Sequence, residues 1–457
     1  MHNINTGLQH NRMTDMPIPG LVLRLSIPSI ITMMVSNIYN LVDTAFVGRL
    51  GTSASGAVGI VFGFMAIIQA FGFTFGQGGG SILSRALGAR DNERASLHAS
   101  AGFFGSMLCG LCIAIIGFIW LDPIVMFLGS TPTIAPYAKT YISFILIAAP
   151  FMTSSFTLNN FLRYEGKAKL GMLGMMTGAV LNMVMDPIFM FAMKMGIFGA
   201  GLSTAISQFI SWSILVSMFR RGKTESQLSI KRAIHASLPV MGNILATGFP
   251  SLLRQGLNSL TTVVLNAKCA LYGDAAVAAM SIVSRLTFFT FSFALGVGQG
   301  FQPVSAYNYG AKRYSRIRQS YRFSIMAAES IIIAGVIILF VFAPQLIQLL
   351  RDDPSVVVIG KRALRLHAVA SLVLPPCMVT GMLFQSTGHR FSASIVSALR
   401  SGLLFIPTIF ILSHFRGLAG IQESQPLSLL LSAPLTLPFA MYFFGRLPKE
   451  DGADLAE

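Results

Sequence analysis

Long apolar segments make up most of this chain, and they restrict its fold more than any other feature. The first runs from Leu21 to Leu50 and exceeds the roughly 20 residues that a helix needs to cross a bilayer. Similar segments recur along the whole sequence, and only 11% of the residues are charged, compared with about 25% in soluble proteins. The sequence therefore predicts an all-α polytopic membrane protein.

Twelve such segments are separated by polar links, of which the longest lies in the middle of the chain. The predicted segments are 21–47, 54–80, 97–121, 136–160, 169–192, 197–219, 238–268, 276–303, 321–343, 358–382, 392–413 and 418–444. The predicted organisation is a cytoplasmic tail (1–20), an N-terminal six-helix lobe (21–219), a cytoplasmic linker (220–237), a C-terminal six-helix lobe (238–444) and a second cytoplasmic tail (445–457).

The net charge of +16 does not indicate a nucleic-acid partner in such a chain. Short loops of membrane proteins retain Lys and Arg on the cytoplasmic side. Most basic loop residues lie in every second link, and a cluster at 351–365 is the exception. The first twenty residues carry no secretory signal. We therefore expect a multi-pass membrane protein with both termini in the cytoplasm.

The two halves repeat one another at an offset of 222 residues. The Gly-Gln-Gly run at 76–78 recurs at 298–300, and Gly88-Ala89 recurs as Gly310-Ala311. Because six helices are an even number, both halves enter the membrane from the same side, and the repeat is parallel. Such repeats are typical of secondary transporters, in which substrates bind between the repeats.

The first segment carries a carboxylate, Asp43, where lipid-spanning helices are usually apolar. Ser36, Asn40 and Asp43 form one polar stripe on a helix, and Tyr39 lies one turn before the acid. A charge near the centre of a membrane helix costs roughly 2.5–3.5 kcal/mol, so such residues are usually functional. The alternative is a position near the helix end, within reach of the headgroups. The repeat does not duplicate this acid, since Leu265 occupies the equivalent position.

The fifth segment carries a second acid in a regular pattern. Gly174, Gly178, Asn182 and Asp186 recur every four residues and share one helix face. The glycines allow a neighbouring helix to approach closely, so the polar pair faces protein and not lipid. An interfacial or structural role at the outer helix end is the alternative. Thr408 replaces Asp186 in the second half.

Hydroxyl and amide side chains on two further segments complete a polar set. They are Tyr141, Asn159 and Asn160 on the fourth segment, and Ser203, Thr204, Ser207 and Ser211 on the sixth. For each residue alone, a hydrogen bond between helices is the simpler explanation. Together with the two acids they suggest a hydrated pocket for a cation or a proton, because hard cations bind oxygen ligands.

The second half offers fewer candidates. Arg254 and Arg285 lie within apolar stretches, and the sequence leaves open whether they line a pathway, pair with Glu329 or Glu423, or extend to the interface. The candidate residues of a substrate pathway are Ser36, Asn40, Tyr141, Arg254, Arg285 and Glu423. Cys109 and Cys112 form a CxxC in an apolar helix without further ligands, so we expect neither a structural metal nor a cofactor. The chain also lacks the nucleophile–base pattern of an enzyme.

These patterns resemble the multidrug and toxic compound extrusion (MATE) family. The resemblance rests on Pro28, Asp43, Gly48-Arg49-Leu50-Gly51, Gly88-Ala89-Arg90, Leu162-Arg163, Gly166, Asn182 and Asp186-Pro187, and on the repeat. The GIQESQP run near the end resembles the bacterial branch of DNA-damage-inducible protein F and MepA. The resemblance implies two six-helix lobes that extrude organic, often cationic, compounds against an inward flow of H⁺ or Na⁺, with access alternating as the lobes rock.

The resemblance also implies an ion-coupling site in the N-terminal lobe. Its residues would be Tyr39, Asp43, Asn159, Asn182, Asp186 and Thr204, with Na⁺ at Asp43, Asn182, Asp186 and Thr204 if Na⁺ is the coupling ion. The acids that a Na⁺-coupled branch carries on helices 7 and 10 are absent here. The expected partners are small organic substrates and membrane lipid, for a monomer involved in multidrug efflux and antibiotic resistance. The alternative is a flippase for lipid-linked precursors, which would need a larger and strongly basic cavity.

Overall fold

The computed structural model describes residues 2–452, with side chains from residue 9 onward. Residue 1 and residues 453–457, which belong to the two predicted tails, lie outside the described residues. Every regular element in the described range is a helix, which confirms the all-α prediction.

The helices correspond to the twelve predicted segments and are called spans one to twelve. Spans one to six are Ile18–Gly48, Thr52–Gly88, Asn92–Ile119, Ala135–Tyr164, Ala168–Pro187 and Gly196–Arg220; spans seven to ten are Leu238–Ala270, Asp274–Gly310, Tyr314–Val341 and Pro354–Thr387. Spans eleven and twelve lie within Arg390–Arg446 and are divided at Gly417, whose φ of 59° interrupts the helix. Shorter helices are His2–Asp15, Leu121–Phe127, Ile230–Ile234 and Ala343–Leu350.

Three spans contain irregular turns. A π-helical turn, Ile188–Ala192, continues span five directly after Pro187, and a 3₁₀ turn, Ser371–Val373, interrupts span ten. A second π-helical turn, Leu399–Leu403, lies within span eleven. Turns of the π type are frequently found at functional sites.

By length and hydropathy, ten helices of the described chain are able to cross a membrane. The spans nevertheless number twelve, because Arg390–Arg446 contains two of them and span seven is not among the ten. Span seven has 33 residues but includes Arg254, Gln255 and Asn258, which lower its hydropathy.

The described residues divide into two compact units. Unit one comprises residues 2–12 and 31–248, and unit two comprises residues 13–30 and 249–452. Both boundaries fall within a helix, close to Pro28 in span one and Pro250 in span seven. Proline removes a backbone hydrogen bond and allows a helix to bend. The predicted lobe bounds, 21–219 and 238–444, stay a prediction.

Small residues allow close helix contacts within each unit. In unit one, a Cβ added to Gly80 would lie 2.3 Å from the Tyr164 ring, so span two packs tightly against span four. In unit two, a Cβ added to Gly300 would lie 2.2 Å from the Ser26 hydroxyl. Such contacts are typical of helices in membranes, where close packing takes the place of the hydrophobic effect.

The link between spans six and seven is anchored to unit one by hydrogen bonds. The fully buried Glu165 carboxylate accepts bonds from the backbone N–H groups of Glu225 and Ser226, at 3.0 and 3.1 Å, and another from the Ser226 hydroxyl. The hydroxyl groups of Ser96 and Ser100 in span three accept hydrogen bonds from the backbone N–H groups of Gln227 and Ser229 in the linker. These contacts hold the linker at the ends of spans three and four.

The anchored linker should respond to pH through Glu225. Its side chain is 5% exposed, and the Lys167 ammonium lies 3.7 Å from its Oε1. Burial raises the pKa of the Glu225 carboxyl from 4.5 to about 8, although Lys167 opposes the change. Because the pKa is raised in the folded state, the contribution of Glu225 to linker docking is present at low pH and is lost as pH rises through about 8.

We therefore expect amide hydrogen exchange at residues 224–229 to accelerate between pH 7 and pH 9 by more than the intrinsic chemistry explains. The Glu225→Gln variant, which cannot ionise, should lose this additional acceleration. Equal protection of the wild-type linker at both pH values would contradict the prediction.

Candidate functional site

Spans one and five place two acids side by side in unit one. Asp43 and Asp186 are both fully buried, and their carboxyl groups are close enough to share a hydrogen bond when one of them carries a proton. Neither oxygen of Asp43 has a hydrogen-bond partner among the described residues. A buried carboxylate without donors is strongly destabilised, so this position favours a bound proton or cation.

Asn182 connects the acid pair to span six. In the amide orientation that satisfies both ends, its nitrogen donates to Asp186 Oδ2 at 3.0 Å. Its oxygen then accepts from the Ser203 hydroxyl at 3.0 Å and from the Thr204 backbone N–H at 3.2 Å. All four side chains are at most 1% exposed. The residues at 182, 186, 203 and 204 therefore form one buried polar network.

Two tyrosines border the acids. Tyr39 of span one is an electrostatic neighbour of both carboxyl groups, and so is Tyr141 of span four. The Thr204 side chain lies near both tyrosine hydroxyls, although neither hydroxyl has a well-formed hydrogen bond within the described chain. The sequence placed Tyr141 in the polar set with the two acids, and it lies beside them in the structure; its role in a substrate pathway stays a prediction.

The glycine pattern of span five brings span six close to it. A Cβ added to Gly178 would lie 2.8 Å from the Ser211 Cβ, and one added to Gly174 would lie 2.4 Å from Leu215. The Ser211 hydroxyl donates to the Gly174 carbonyl at 3.0 Å. Span six therefore lies against the predicted face of span five, which positions Ser203 and Thr204 beside Asn182.

Three predicted residues lie outside the cluster. The Asn159 amide oxygen packs against Gly171 near the start of span five, about 22 Å from Asp186 for a helical rise of 1.5 Å per residue. The Ser36 hydroxyl donates to a carbonyl of its own helix at 2.9 Å. Asn40 is exposed.

The candidates in unit two are not gathered in one place. Glu423 pairs with Arg362 at 2.8 Å and with Arg416 at 2.5 Å. These pairs favour a structural role for Glu423. Arg285 is exposed on span eight, whereas Arg254 lines a cavity.

Sequence reasoning missed two charged residues that the structure emphasises. Arg400 lines the same cavity as Arg254. It could have been noticed in the sequence, because it is a charged residue inside the eleventh apolar segment. Glu165 anchors the linker, but a lone acid in a polar link carries no sequence signal of this role. Within residues 2–452, no cluster of three or more His, Cys, Asp or Glu side chains could hold a metal ion.

Comparison with known proteins supports the internal repeat. The MatE family model matches residues 28–188 and 250–411, two stretches that begin at equivalent positions of the repeat. The multidrug export protein MepA of Staphylococcus haemolyticus (strain JCSC1435) is 30% identical over 439 residues, which cover 95% of this chain and 96% of that protein. MepA of Staphylococcus aureus (strain N315) is 29% identical over 408 residues, 89% of each chain.

A solved structure shows the same architecture. The crystal structure of MATE in complex with MaL6 superposes with a TM-score of 0.90 at 27% identity, covering 96% of this chain and 99% of that one. The predicted arrangement of twelve helices in two repeated lobes is thereby confirmed, as is the resemblance that the motifs indicated.

The packing of spans five and six can be tested with one added methyl group. Gly178→Ala should force the two helices apart and cost about 1–3 kcal/mol, as overpacking does elsewhere. The midpoint of thermal unfolding in detergent should fall accordingly. Gly63→Ala is the matched control, because a Cβ added there meets nothing within 4 Å. Equal midpoints for the two variants would contradict the described packing.

Proposed function

Because this chain belongs to the MatE family, whose members are membrane transporters and not enzymes, we propose that it exports small organic compounds by antiport with H⁺ or Na⁺. Its relatives include a multidrug export protein, and we infer that its substrates are cationic or amphipathic. The observation that carries the coupling proposal is the buried pair of Asp43 and Asp186, in which Asp43 has no donor.

The acid pair supplies the chemistry that a coupling site needs. Two adjacent carboxylates repel one another strongly where the dielectric constant is low. One bound positive charge, either H⁺ or Na⁺, removes most of this repulsion, and the two groups then act as a single binding unit. Na⁺ would find further oxygen ligands in Asn182 and Thr204, since hard cations prefer such donors.

Ion binding would act on transport through helix packing. The acids lie on spans one and five, and their neighbours lie on spans four and six, so four spans of unit one contribute side chains to the site. An ion that binds better to one packing of these helices shifts the equilibrium toward that packing. We propose that rocking of the two lobes then alternates the access of the substrate, as in other transporters built from repeats.

The proposed setting is a bacterial cytoplasmic membrane, with both termini in the cytoplasm and the chain acting as a monomer. Its partners would be organic substrates and lipid. We favour export over transport of lipid-linked precursors, because the cavity lined by Arg254 and Arg400 is small and, among the described residues, has just these two basic side chains in its lining. A lipid-linked headgroup would need considerably more space.

The coupling proposal predicts the effect of removing one charge. Asp43→Asn keeps the size of the protonated acid but cannot change its charge, so gradient-driven export should fall at least about tenfold. Purified protein in liposomes is given an imposed pH gradient or Na⁺ gradient, and efflux of a fluorescent organic cation such as ethidium is followed for each. The gradient that drives the wild type identifies the ion.

The matched control is Asp122→Asn. Asp122 is an exposed acid of unit one, paired with Lys139 at 2.6 Å, and its loss should leave export at the wild-type rate. Wild-type efflux by Asp43→Asn would refute the assigned coupling site.

A further inference from the structure

Unit two contains a basic cavity. Of the residues that line it, the sequence analysis had named only Arg254, as a candidate for a substrate pathway. The cavity is small and partly open to the outside, and it lies among spans seven, ten and eleven. Arg254 and Arg400 line it together with the neutral polar side chains of Gln385 and Ser397. Among the described residues, no Asp or Glu lines the cavity.

The local backbone presents Arg400 to this cavity. Arg400 lies in the π-helical turn Leu399–Leu403, where the regular pattern of span eleven is interrupted. The Thr261 hydroxyl of span seven donates to the Ser401 carbonyl at 3.0 Å and ties the turn to that span. The Arg400 guanidinium lies 5.4 Å from the centroid of the Phe291 ring. A cation–π contact supports the charge without neutralising it.

The internal repeat relates this cavity to the acid pair. At the repeat offset, spans seven and eleven are the counterparts of spans one and five, which carry Asp43 and Asp186. Arg254 stands where the first half has Thr32, and Arg400 stands where it has Gly178. Equivalent helix pairs therefore carry acids in one half and arginines in the other.

We infer that this cavity binds the anionic group of a transported amphipathic acid or zwitterion. Guanidinium groups match carboxylate, sulfonate and phosphate geometry, and the Ser397 hydroxyl adds a neutral donor. The cavity is small and partly open, so it admits the charged end of a ligand and not the whole molecule. The side chains of Met378 and Met382, which also line the cavity, suit a variable apolar part.

This inference deepens the proposed export function by naming a second class of substrate. The test is an equilibrium binding measurement on the full chain in nanodiscs of phosphatidylcholine, with no ion gradient. Its result therefore does not depend on whether the Asp43–Asp186 pair couples transport. The probe is N-dansylglycine, a fluorescent carboxylate, and its methyl ester is the uncharged analogue.

The wild type should bind the acid at least about tenfold more tightly than the ester. Arg254→Gln and Arg400→Gln should each weaken binding of the acid about tenfold, the effect of losing one charge-assisted hydrogen bond, and leave the ester unaffected. Arg322→Gln removes an exposed arginine of span nine and serves as the control. If Arg400→Gln does not fold, Arg400→Lys should give intermediate affinity, because it keeps the charge and loses the planar fork.

Equal affinity of the wild type for acid and ester would overturn the inference, and so would unchanged binding of the acid in the arginine variants. Anionic lipid headgroups share the chemistry of the proposed ligand. A second set of nanodiscs therefore contains phosphatidylglycerol. Unchanged binding of N-dansylglycine there supports a substrate site, whereas its loss would show that lipid occupies the cavity and would refute the assignment.

Discussion

The contact between the Asp43 and Asp186 carboxyl groups is the interaction on which the proposed function depends. Each acid alone would be an expensive substitution in an apolar helix. Placed together and buried, they form a site whose stability depends on one added positive charge. The surrounding asparagine, serine and threonine supply dipoles but no compensating cation. In the proposed mechanism, a bound cation relieves the repulsion between the two carboxylates and thereby couples ion binding to transport.

The same physical logic explains why the helices around the site are so closely packed. Glycines on span five let span six approach until side chains meet backbone. Without a hydrophobic force between helices in lipid, such contacts and the hydrogen bonds across them hold the bundle together. The polar network from Asn182 to Thr204 therefore positions the acids and also joins two helices. The same residues therefore stabilise the packing of spans five and six and form part of the proposed coupling site.

Much of the architecture was predictable from the sequence, because hydropathy marks spans and the repeat marks their grouping. The acids, Asn182 and Thr204 were predictable because polar residues in apolar helices are conspicuous. The placement of Asn159 was not, since periodicity identifies a face of a helix but not the depth at which faces meet. Arg400 was overlooked although its signal was present. Glu165 lies in a polar link, where no periodicity distinguishes an anchoring residue from a solvated one.

The division of the chain at residues 30 and 248 has a consequence for biosynthesis. Span one is the first span to be made, yet residues 18–30 at its start belong to unit two, most of which leaves the ribosome only after the linker. Ser26, for example, meets Gly300 of span eight. During synthesis, the start of span one therefore lacks its unit-two neighbours until the second half of the chain has been translated. Its packing is completed only then.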